Sequence, residues 1–261
     1  MHTRQIVLLL LLACPALCFS QPIEPDNYKK YSGACLSSTK FFKPGSFEFD
    51  VKASKVSGTI FCAFLTDFEV NPSADNRKHL ELGFELIGEK IDSILCVAVL
   101  PGGKLFIKRF PLGYNASDNF HRYTMVQEAG AVKWLVDGKT IYQLEAEVSQ
   151  ALLKPMRLYV NFRPAVSHCD EHWGCIRKAG LPTFAYVKNF RYAMNNSTPE
   201  IHQILYPVFQ KGLKDNLKKH QQKLWQFSSI DLIKGNKPAY PKENLAFGKT
   251  GLTLAINREK D

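Results

Sequence analysis

Apolar and polar residues alternate along most of the chain between Phe41 and Met194. Residues two apart in a β-strand point to the same side, so a period of two predicts strands with one face in a core. These stretches are also rich in the β-branched and aromatic residues that strands favour. They read "GSFEFDVKA", "GTIFCAFL", "LELGFELIG", "ILCVAVL", "KLFIKRF", "HRYTMVQ", "VKWLVDGK", "MRLYVNF" and "AYVKNFRY".

Turn signals separate these strands. Lys43-Pro44-Gly45 and Pro101-Gly102-Gly103 are typical of turns, and Asp137-Gly138 predicts a tight hairpin. Many short strands at regular spacing predict an all-β protein built as a sandwich or jelly roll.

The pattern changes after Met194. Apolar residues take helical spacing between Ile201 and Trp225, with lysines between them. A strand pattern returns after Phe227, where "ENLAFGKTGLTLAINRE" predicts two strands around a glycine-containing turn. A lone pair of strands is not stable in water, so we expect this pair to join the main sheet in a single domain.

The first twenty residues have the composition of an export signal. Arg4 is their only charge, Ile6 to Ala13 is an apolar run, and Cys18-Phe19-Ser20 offers a cleavage site. The run is too short to cross a bilayer, and no later segment is long enough. We expect a secreted, cell-surface or periplasmic protein without a transmembrane segment. In an alternative interpretation, Leu11 to Cys14 is a lipoprotein cleavage box and Cys14 carries a lipid.

The net charge of +10 is concentrated towards the C-terminus, where residues 199–261 carry eleven lysines and arginines against six acids. No nucleic-acid-binding motif accompanies this charge, so we expect a solvated helix face and no nucleic-acid partner. We also expect a monomer.

Five of the seven cysteines remain after removal of residues 1–20, and an exported protein can form disulfides. The segment "HCDEHWGC" places two of them, Cys169 and Cys175, beside His168 and His172. Such a group suits either a Cys169–Cys175 disulfide or a zinc ion. The disulfide is favoured, and we expect no metal or other cofactor.

Glu81 and Glu85 lie four apart in a strand pattern and therefore face one side. Two facing carboxylates suit retaining glycoside hydrolysis, in which one attacks the sugar and the other protonates the leaving oxygen, with the two carboxyl groups about 5–5.5 Å apart. Their Cα atoms are roughly 13 Å apart by the strand rise, so the side chains would have to lean together. Two solvated acids on an outer face are the alternative.

The segment Glu81 to Gly88 resembles the E-x-D-x-E catalytic strand of glycoside hydrolase family 16, the jelly-roll β-glucanases and transglycosylases. "FHRYTMVQEAGAVKWLVDGKTIYQ" is similar to a hairpin of the same family, and "PMRLYVNFRP" and "PTFAYVKNFRY" are similar to its closing strands. The likeness covers residues 31–194. It implies a concanavalin A-like jelly-roll β-sandwich.

The resemblance assigns Glu81 as nucleophile and Glu85 as acid/base. Gly83 stands where the family has an aspartate that supports the nucleophile. We therefore expect weakened catalysis, and we expect Gly83→Asp to raise activity if the two glutamates are still positioned for double displacement.

The resemblance also implies four substrate-binding residues. Trp173 lies in the position of a tryptophan-bearing loop, and Asn161 matches a family asparagine. Arg163 and His79 replace tryptophans. The strand from Ile94 to Val99 is apolar where the family offers polar groups to the sugar.

The opening strands of the family have their counterpart at the C-terminus of this chain, which indicates a circular permutation. The expected organisation is a signal peptide over 1–20 and one domain over 21–261, with a main sandwich over 31–194, a helical bridge over 199–226 and permuted strands over 227–261. The predicted function is endo-hydrolysis or transglycosylation of a β-glucan-like polysaccharide. The alternative is a relative that binds glycan without cutting it.

Overall fold

The computed structural model describes residues 31–67, 79–165, 174–176, 180–194, 225–227, 244–248 and 251–258. The predicted signal peptide, Cys14 and nearly all of the predicted helical bridge lie outside these ranges. None of the helices in the described ranges has the length and apolarity of a membrane span.

The described chain is almost entirely strand, with one short α-helix, α1 (Ala146–Ala151). The strands are β1 (Tyr31–Ser32), β2 (Ala34–Phe42), β3 (Gly45–Lys52), β4 (Thr59–Thr66), β5 (Glu81–Ile87), β6 (Ser93–Leu100), β7 (Lys104–Pro111), β8 (His121–Glu128), β9 (Ala131–Val136), β10 (Lys139–Leu144), β11 (Met156–Pro164), β12 (Thr183–Met194), β13 (Trp225–Phe227), β14 (Leu245–Gly248) and β15 (Gly251–Arg258).

Two antiparallel sheets form the sandwich. One has the order β1-β15-β12-β3-β8-β9-β10, with β14 paired to β15, and the other has the order β13-β2-β11-β4-β5-β6-β7. Strands from distant parts of the sequence are neighbours in both sheets, as in a jelly roll.

Aromatic rings fill the space between the sheets. Phe84 from β5 stacks on Tyr123 from β8 with ring centroids 5.3 Å apart, and Phe49 from β3 meets Phe84 at 5.9 Å. Trp134 of β9 is only 1% exposed. The inner faces of both sheets therefore carry the hydrophobic core that the period of two predicted.

The C-terminal strands belong to the two sheets. β15 lies between β1 and β12, and β13 pairs with β2. Leu254 and Ile256 of β15 are fully buried in the core. β13 starts at Trp225, two residues before the predicted boundary at 227, which shortens the predicted bridge at its end.

Candidate active site

Alternate residues of strand β5 face opposite sides of the sheet. Leu82, Phe84 and Leu86 point into the core and are at most 1% exposed. Glu81 and Glu85 point the other way, with 26% and 15% of their side chains exposed. The shared direction that the sequence predicted for the two acids is present in the structure. We call the side of the seven-stranded sheet that carries them the acid face.

Directly opposed residues of neighbouring strands share a face, so the register defines what surrounds the two acids. Three rows cross the acid face. They are Phe41-Arg157-Thr66-Glu81-Val99-Leu105, Ser37-Tyr159-Phe64-Gly83-Val97-Ile107 and Cys35-Asn161-Cys62-Glu85-Leu95-Arg109.

The two halves of these rows differ in exposure. On the β4, β11 and β2 side, the rows of Gly83 and Glu85 are covered, and none of their six residues is more than 4% exposed. On the β6 and β7 side the rows open to solvent, where Leu105 is 56% and Ile107 is 51% exposed. The acids therefore lie at the boundary between a covered and an open half.

Glu85 forms an ion pair with Arg163 of β11. The Nη2 atom of Arg163 donates to Oε1 of Glu85 over 3.2 Å, and the two side chains are 17% and 15% exposed. Burial raises the pKa of Glu85 and the nearby Glu81 adds to the rise, while the Arg163 guanidinium opposes it. The pKa stays above its usual value because the loss of hydration outweighs the ion pair.

Glu81 also has a basic side chain beside it, that of His79. Nε2 of His79 lies 3.6 Å from Oε2 of Glu81, and about a quarter of each side chain is exposed. The two residues are two apart at the start of β5, so they share the acid face.

Gly83 occupies a position with no room for a side chain. A Cβ atom there would lie 2.7 Å from Cβ of Phe64, directly across the β4–β5 pair. The carbonyl oxygen of Gly83 accepts a hydrogen bond from Nε1 of Trp134 over 2.8 Å, which fixes the strand against the core. The crowding by Phe64 favours rejection of the Gly83→Asp side chain over the gain of a helpful carboxylate, and the effect of this substitution on activity stays a prediction.

Asn161 is fully buried in the covered half. Its Oδ1 atom accepts a hydrogen bond from the Cys62 thiol over 2.6 Å. Next to this pair, Phe64 and Tyr159 stack with ring centroids 5.1 Å apart and planes at 12°. Burial raises the pKa of the Cys62 thiol well above its usual value, so this sulfur is a packing group and a hydrogen-bond donor rather than a nucleophile.

Trp173, the remaining predicted sugar contact, lies outside the described residues. Cys175 forms a disulfide, and the predicted partner Cys169 also lies outside them. A disulfide removes the Cys175 thiolate from the possible zinc ligands. The described residues contain no group of three or more metal-ligating side chains.

The family model described as "Glycosyl hydrolases family 16" matches residues 24–174, more than half of the chain. The chain belongs to glycosyl hydrolase family 16. It is 24% identical over 182 residues to a beta-glucanase of Brevibacillus brevis, covering 69% of this chain and 67% of that protein. It is also 24% identical over 147 residues to a xylanase/beta-glucanase of Ruminococcus flavefaciens, where the match covers 56% of this chain and only 18% of that protein.

The solved Bacillus licheniformis beta-glucanase has the same fold as this family 16 protein. The TM-score is 0.53 at 21% identity, covering 60% of this chain and 70% of the other. The jelly-roll β-sandwich predicted from the sequence is confirmed by this likeness and by the two antiparallel sheets.

This family 16 chain departs from the family pattern in a consistent way. Arg163, in place of a tryptophan, pairs with the predicted acid/base, and His79, in place of another tryptophan, lies beside the predicted nucleophile. The sequence named both residues as sugar contacts, whereas their described contacts are with the glutamates. Phe64 and Cys62 were not identified as site residues, because alternation predicts the face of a side chain and only the register places these two opposite Gly83 and Glu85.

Proposed function

We propose that this family 16 protein hydrolyses or transfers a β-linked glycan by double displacement, with Glu81 as nucleophile and Glu85 as acid/base. The observation that carries the proposal is the pair of partly exposed glutamates on one face of β5. The reaction needs one ionised and one protonated carboxylate. The raised pKa of Glu85 favours its proton-donor role.

In the first step Glu81 attacks the anomeric carbon while Glu85 protonates the leaving oxygen. In the second step Glu85, now ionised, takes a proton from water or from a sugar hydroxyl. The oxygen of that acceptor then attacks the anomeric carbon and displaces Glu81. Water gives hydrolysis, and a sugar acceptor gives transglycosylation. We propose β-glucan as the substrate class, and the beta-glucanase activity named for the curated relatives supports this choice.

A panel of β-1,3, β-1,4 and mixed-linkage glucans tests the proposal. We expect cleavage with retention of anomeric configuration, measured by proton NMR of the first product. Glu81→Gln and Glu85→Gln should each abolish it. Azide should restore turnover to Glu81→Ala by replacing the nucleophile, and the glycosyl azide should have inverted anomeric configuration. Azide should also restore turnover to Glu85→Ala, and that glycosyl azide should have retained configuration. Inversion by the native protein, or full activity in either glutamine variant, would contradict these roles.

A second candidate is glycan binding without cleavage, and the Glu85–Arg163 ion pair favours it. The guanidinium stabilises the charged carboxylate, which cannot donate a proton, and the covered half of the acid face limits access. In this case the native protein and both glutamine variants retain a β-glucan on affinity electrophoresis without shortening it.

We also propose that the protein is exported, on the basis of the residues 1–20 pattern. Expression in a secreting host should yield a mature chain that lacks these residues, measured by N-terminal sequencing. Recovery of a lipidated Cys14 would support the lipoprotein alternative, and an intact N-terminus inside the cell would contradict both.

A further inference from the structure

The start of strand β5 is fixed at one residue, Leu80. Oδ1 of Asp67, the residue that follows β4, accepts a hydrogen bond from the backbone amide of Leu80 over 2.7 Å. The side chain of Leu80 is buried in the core, and only 1% of the residue is exposed. His79 and Glu81 are the residues on either side of it. Because Leu80 is held by both its backbone and its side chain, His79 and Glu81 extend from a fixed segment onto the acid face.

His79 is placed to hold one oxygen of Glu81. Nε2 of His79 lies 3.6 Å from Oε2 of Glu81. This separation suits an ion pair and is slightly longer than the usual N–H···O range of about 2.7–3.2 Å. Hydrogen bonds of catalytic groups are often long before substrate binds and shorten in the complex. A small rotation of either side chain is therefore enough to bring the Nε2–H of His79 within hydrogen-bonding distance of Glu81.

The other neighbours of Glu81 on the acid face are neutral. Val99 lies across the β5–β6 pair and has no hydrogen-bonding side chain, and Thr66 lies across the β4–β5 pair. Gly83, two residues further along β5, has no side chain and no room for one. Of these four positions around Glu81, His79 alone bears a group that can carry a positive charge. The support for Glu81 along β5 therefore comes from its N-terminal side.

The charge on Glu81 changes twice in a double displacement. The carboxylate becomes a neutral ester when it attacks the anomeric carbon, and it becomes a carboxylate again when water displaces it. A hydrogen-bond donor or positive charge at His79 stabilises Glu81 more as a carboxylate than as an ester. His79 therefore assists the second step, in which negative charge returns to Glu81. It gives no such help to the first step, in which that charge is lost.

We propose that His79 is a positioning residue for the nucleophile, and that its Nε2–H holds Oε2 of Glu81 and stabilises this carboxylate as it leaves the sugar. The inference rests on the proposed double-displacement function. In the step concerned, water adds its oxygen to the anomeric carbon and gives a proton to Glu85. The bond from that carbon to the Glu81 oxygen breaks, and its electron pair returns to Glu81 beside His79.

This role differs measurably from a sugar contact at position 79. Loss of a contact that binds substrate and transition state equally raises KM and leaves kcat unchanged. Loss of a group that assists the second step lowers kcat, and KM falls with it because the glycosyl-enzyme accumulates. The ratio kcat/KM then reports the first step only and changes little.

The experiment uses a dinitrophenyl β-glycoside of the glucan oligosaccharide that the native protein cleaves, because a good leaving group makes the second step limit turnover. In His79→Leu, which lacks the donor, we expect kcat and KM each to fall about tenfold, the scale of one hydrogen bond to a charged group. The ratio kcat/KM should stay within about threefold of the native value. Intact-protein mass spectrometry after rapid quenching should show the glycosyl-enzyme decaying about tenfold more slowly. His79→Gln retains an N–H donor, so its kcat should exceed that of His79→Leu by about threefold or more.

His121→Leu is the matched control, because His121 forms the same kind of pair on the other sheet. Its Nδ1 atom lies 2.8 Å from Oδ2 of Asp137, and 22% of its side chain is exposed. This variant should keep the native kcat, KM and decay of the glycosyl-enzyme.

The outcomes separate failure of this inference from failure of the proposed function. An unchanged kcat in His79→Leu, a raised KM at unchanged kcat, or a fall in kcat/KM as large as that in kcat overturns the inference and leaves the proposed function standing. Equal kcat values for His79→Gln and His79→Leu do the same. A native protein that forms no glycosyl-enzyme on Glu81 overturns both.

Discussion

At the scale of single residues, the balance between Arg163 and Glu85 decides whether the acid face can donate a proton. Burial raises the pKa of Glu85 and the guanidinium lowers it. A tryptophan at position 163 would remove the larger of the two positive charges that oppose the rise in the pKa of Glu85, and Arg109 would remain. Arginine moves the carboxylate towards its charged form, which opposes the proton-donor role that we propose for Glu85.

Removing Arg163 should therefore change pH dependence. In Arg163→Ala the pKa of Glu85 rises further, so the limb of the pH–activity profile that reports loss of the acid's proton should move to higher pH. The folded state then binds the proton more tightly than the unfolded chain, and stability falls as pH rises through the raised pKa. We expect a loss of about 1–3 kcal/mol at about pH 8 and less at about pH 5, measured by urea unfolding.

Arg191→Ala is the control for this prediction. Arg191 lies 3.7 Å from Glu48 on the other sheet, and both side chains are about one third exposed. Its loss should cost less than about 1 kcal/mol at either pH. A cost of Arg163→Ala that does not change with pH would show that the pair contributes packing only.

Gly83 gives a second prediction at this scale. Gly83→Ala should destabilise the protein by about 1–3 kcal/mol, because the new Cβ overlaps Cβ of Phe64. Gly83→Asp should cost more, since the larger side chain meets the same obstacle. Urea unfolding measures both. In the double variant Phe64→Gly/Gly83→Ala the obstacle is absent, so its cost should be smaller than the sum of the single costs. An additive result would contradict the steric explanation.

At the scale of secondary structure, the β9–β10 hairpin shows how one turn positions a core residue. Asp137 and Gly138 have φ angles of 49° and 81°, the left-handed pair that a tight hairpin needs. Oδ1 of Asp137 accepts a hydrogen bond from the backbone amide of Arg122 over 2.8 Å, which ties the turn to β8. The hairpin positions Trp134, and Nε1 of Trp134 donates a hydrogen bond to the carbonyl oxygen of Gly83.

Gly138→Ala should destabilise the protein by about 1–2 kcal/mol, the cost of a left-handed conformation for a residue with a Cβ. No heavy atom beyond the two adjacent residues lies within 4 Å of the new Cβ, so the effect is conformational and not steric. Gly138→Asn should cost clearly less, because asparagine tolerates this region better than alanine. Equal urea midpoints for the two variants would contradict this reason.

The sequence predicted most strands because alternation of polarity is a local property. The same alternation fixed the direction of Glu81 relative to Glu85. Alternation alone did not indicate β2, whose Ser37 and Ser38 are polar yet buried and where only the family resemblance places a strand, and it did not indicate α1, which is only six residues long. These elements are determined by tertiary contacts and not by local pattern.

Alternation also could not predict side-chain contacts between strands that are far apart along the chain. The Arg163–Glu85 pair joins residues 78 positions apart, and it exists only because β4 lies between β5 and β11. The covered half of the acid face depends on the same strand order. Parity predicts which way a side chain points, whereas the neighbour it meets follows from the register of the complete sheet.

At the scale of the whole molecule, the two ends of the described chain are neighbours. Tyr31 at the start of β1 pairs with Arg258 at the end of β15, in antiparallel register. β15 in turn pairs with β12 and packs in the core. This arrangement supports the proposal that the chain is a circular permutation of its family, because the ends of a permuted domain must have been joined in its ancestor.

The proposal predicts that the permutation can be reversed. Joining residue 258 to residue 31 through Asn-Gly makes a two-residue hairpin of the kind antiparallel strands favour. New ends can then be opened within 196–224, so that the C-terminal strands precede β1 as they do in the family pattern. We expect this chain to fold with the native circular dichroism spectrum and a free energy of unfolding within about 2 kcal/mol of the native value, since loop changes cost little. The matched control has the same join but new ends inside β3, between Phe49 and Asp50, and it should not fold because both halves of a core strand lose their continuity. A control that folds as well as the reversed chain, or a reversed chain that stays unfolded, would contradict the permutation.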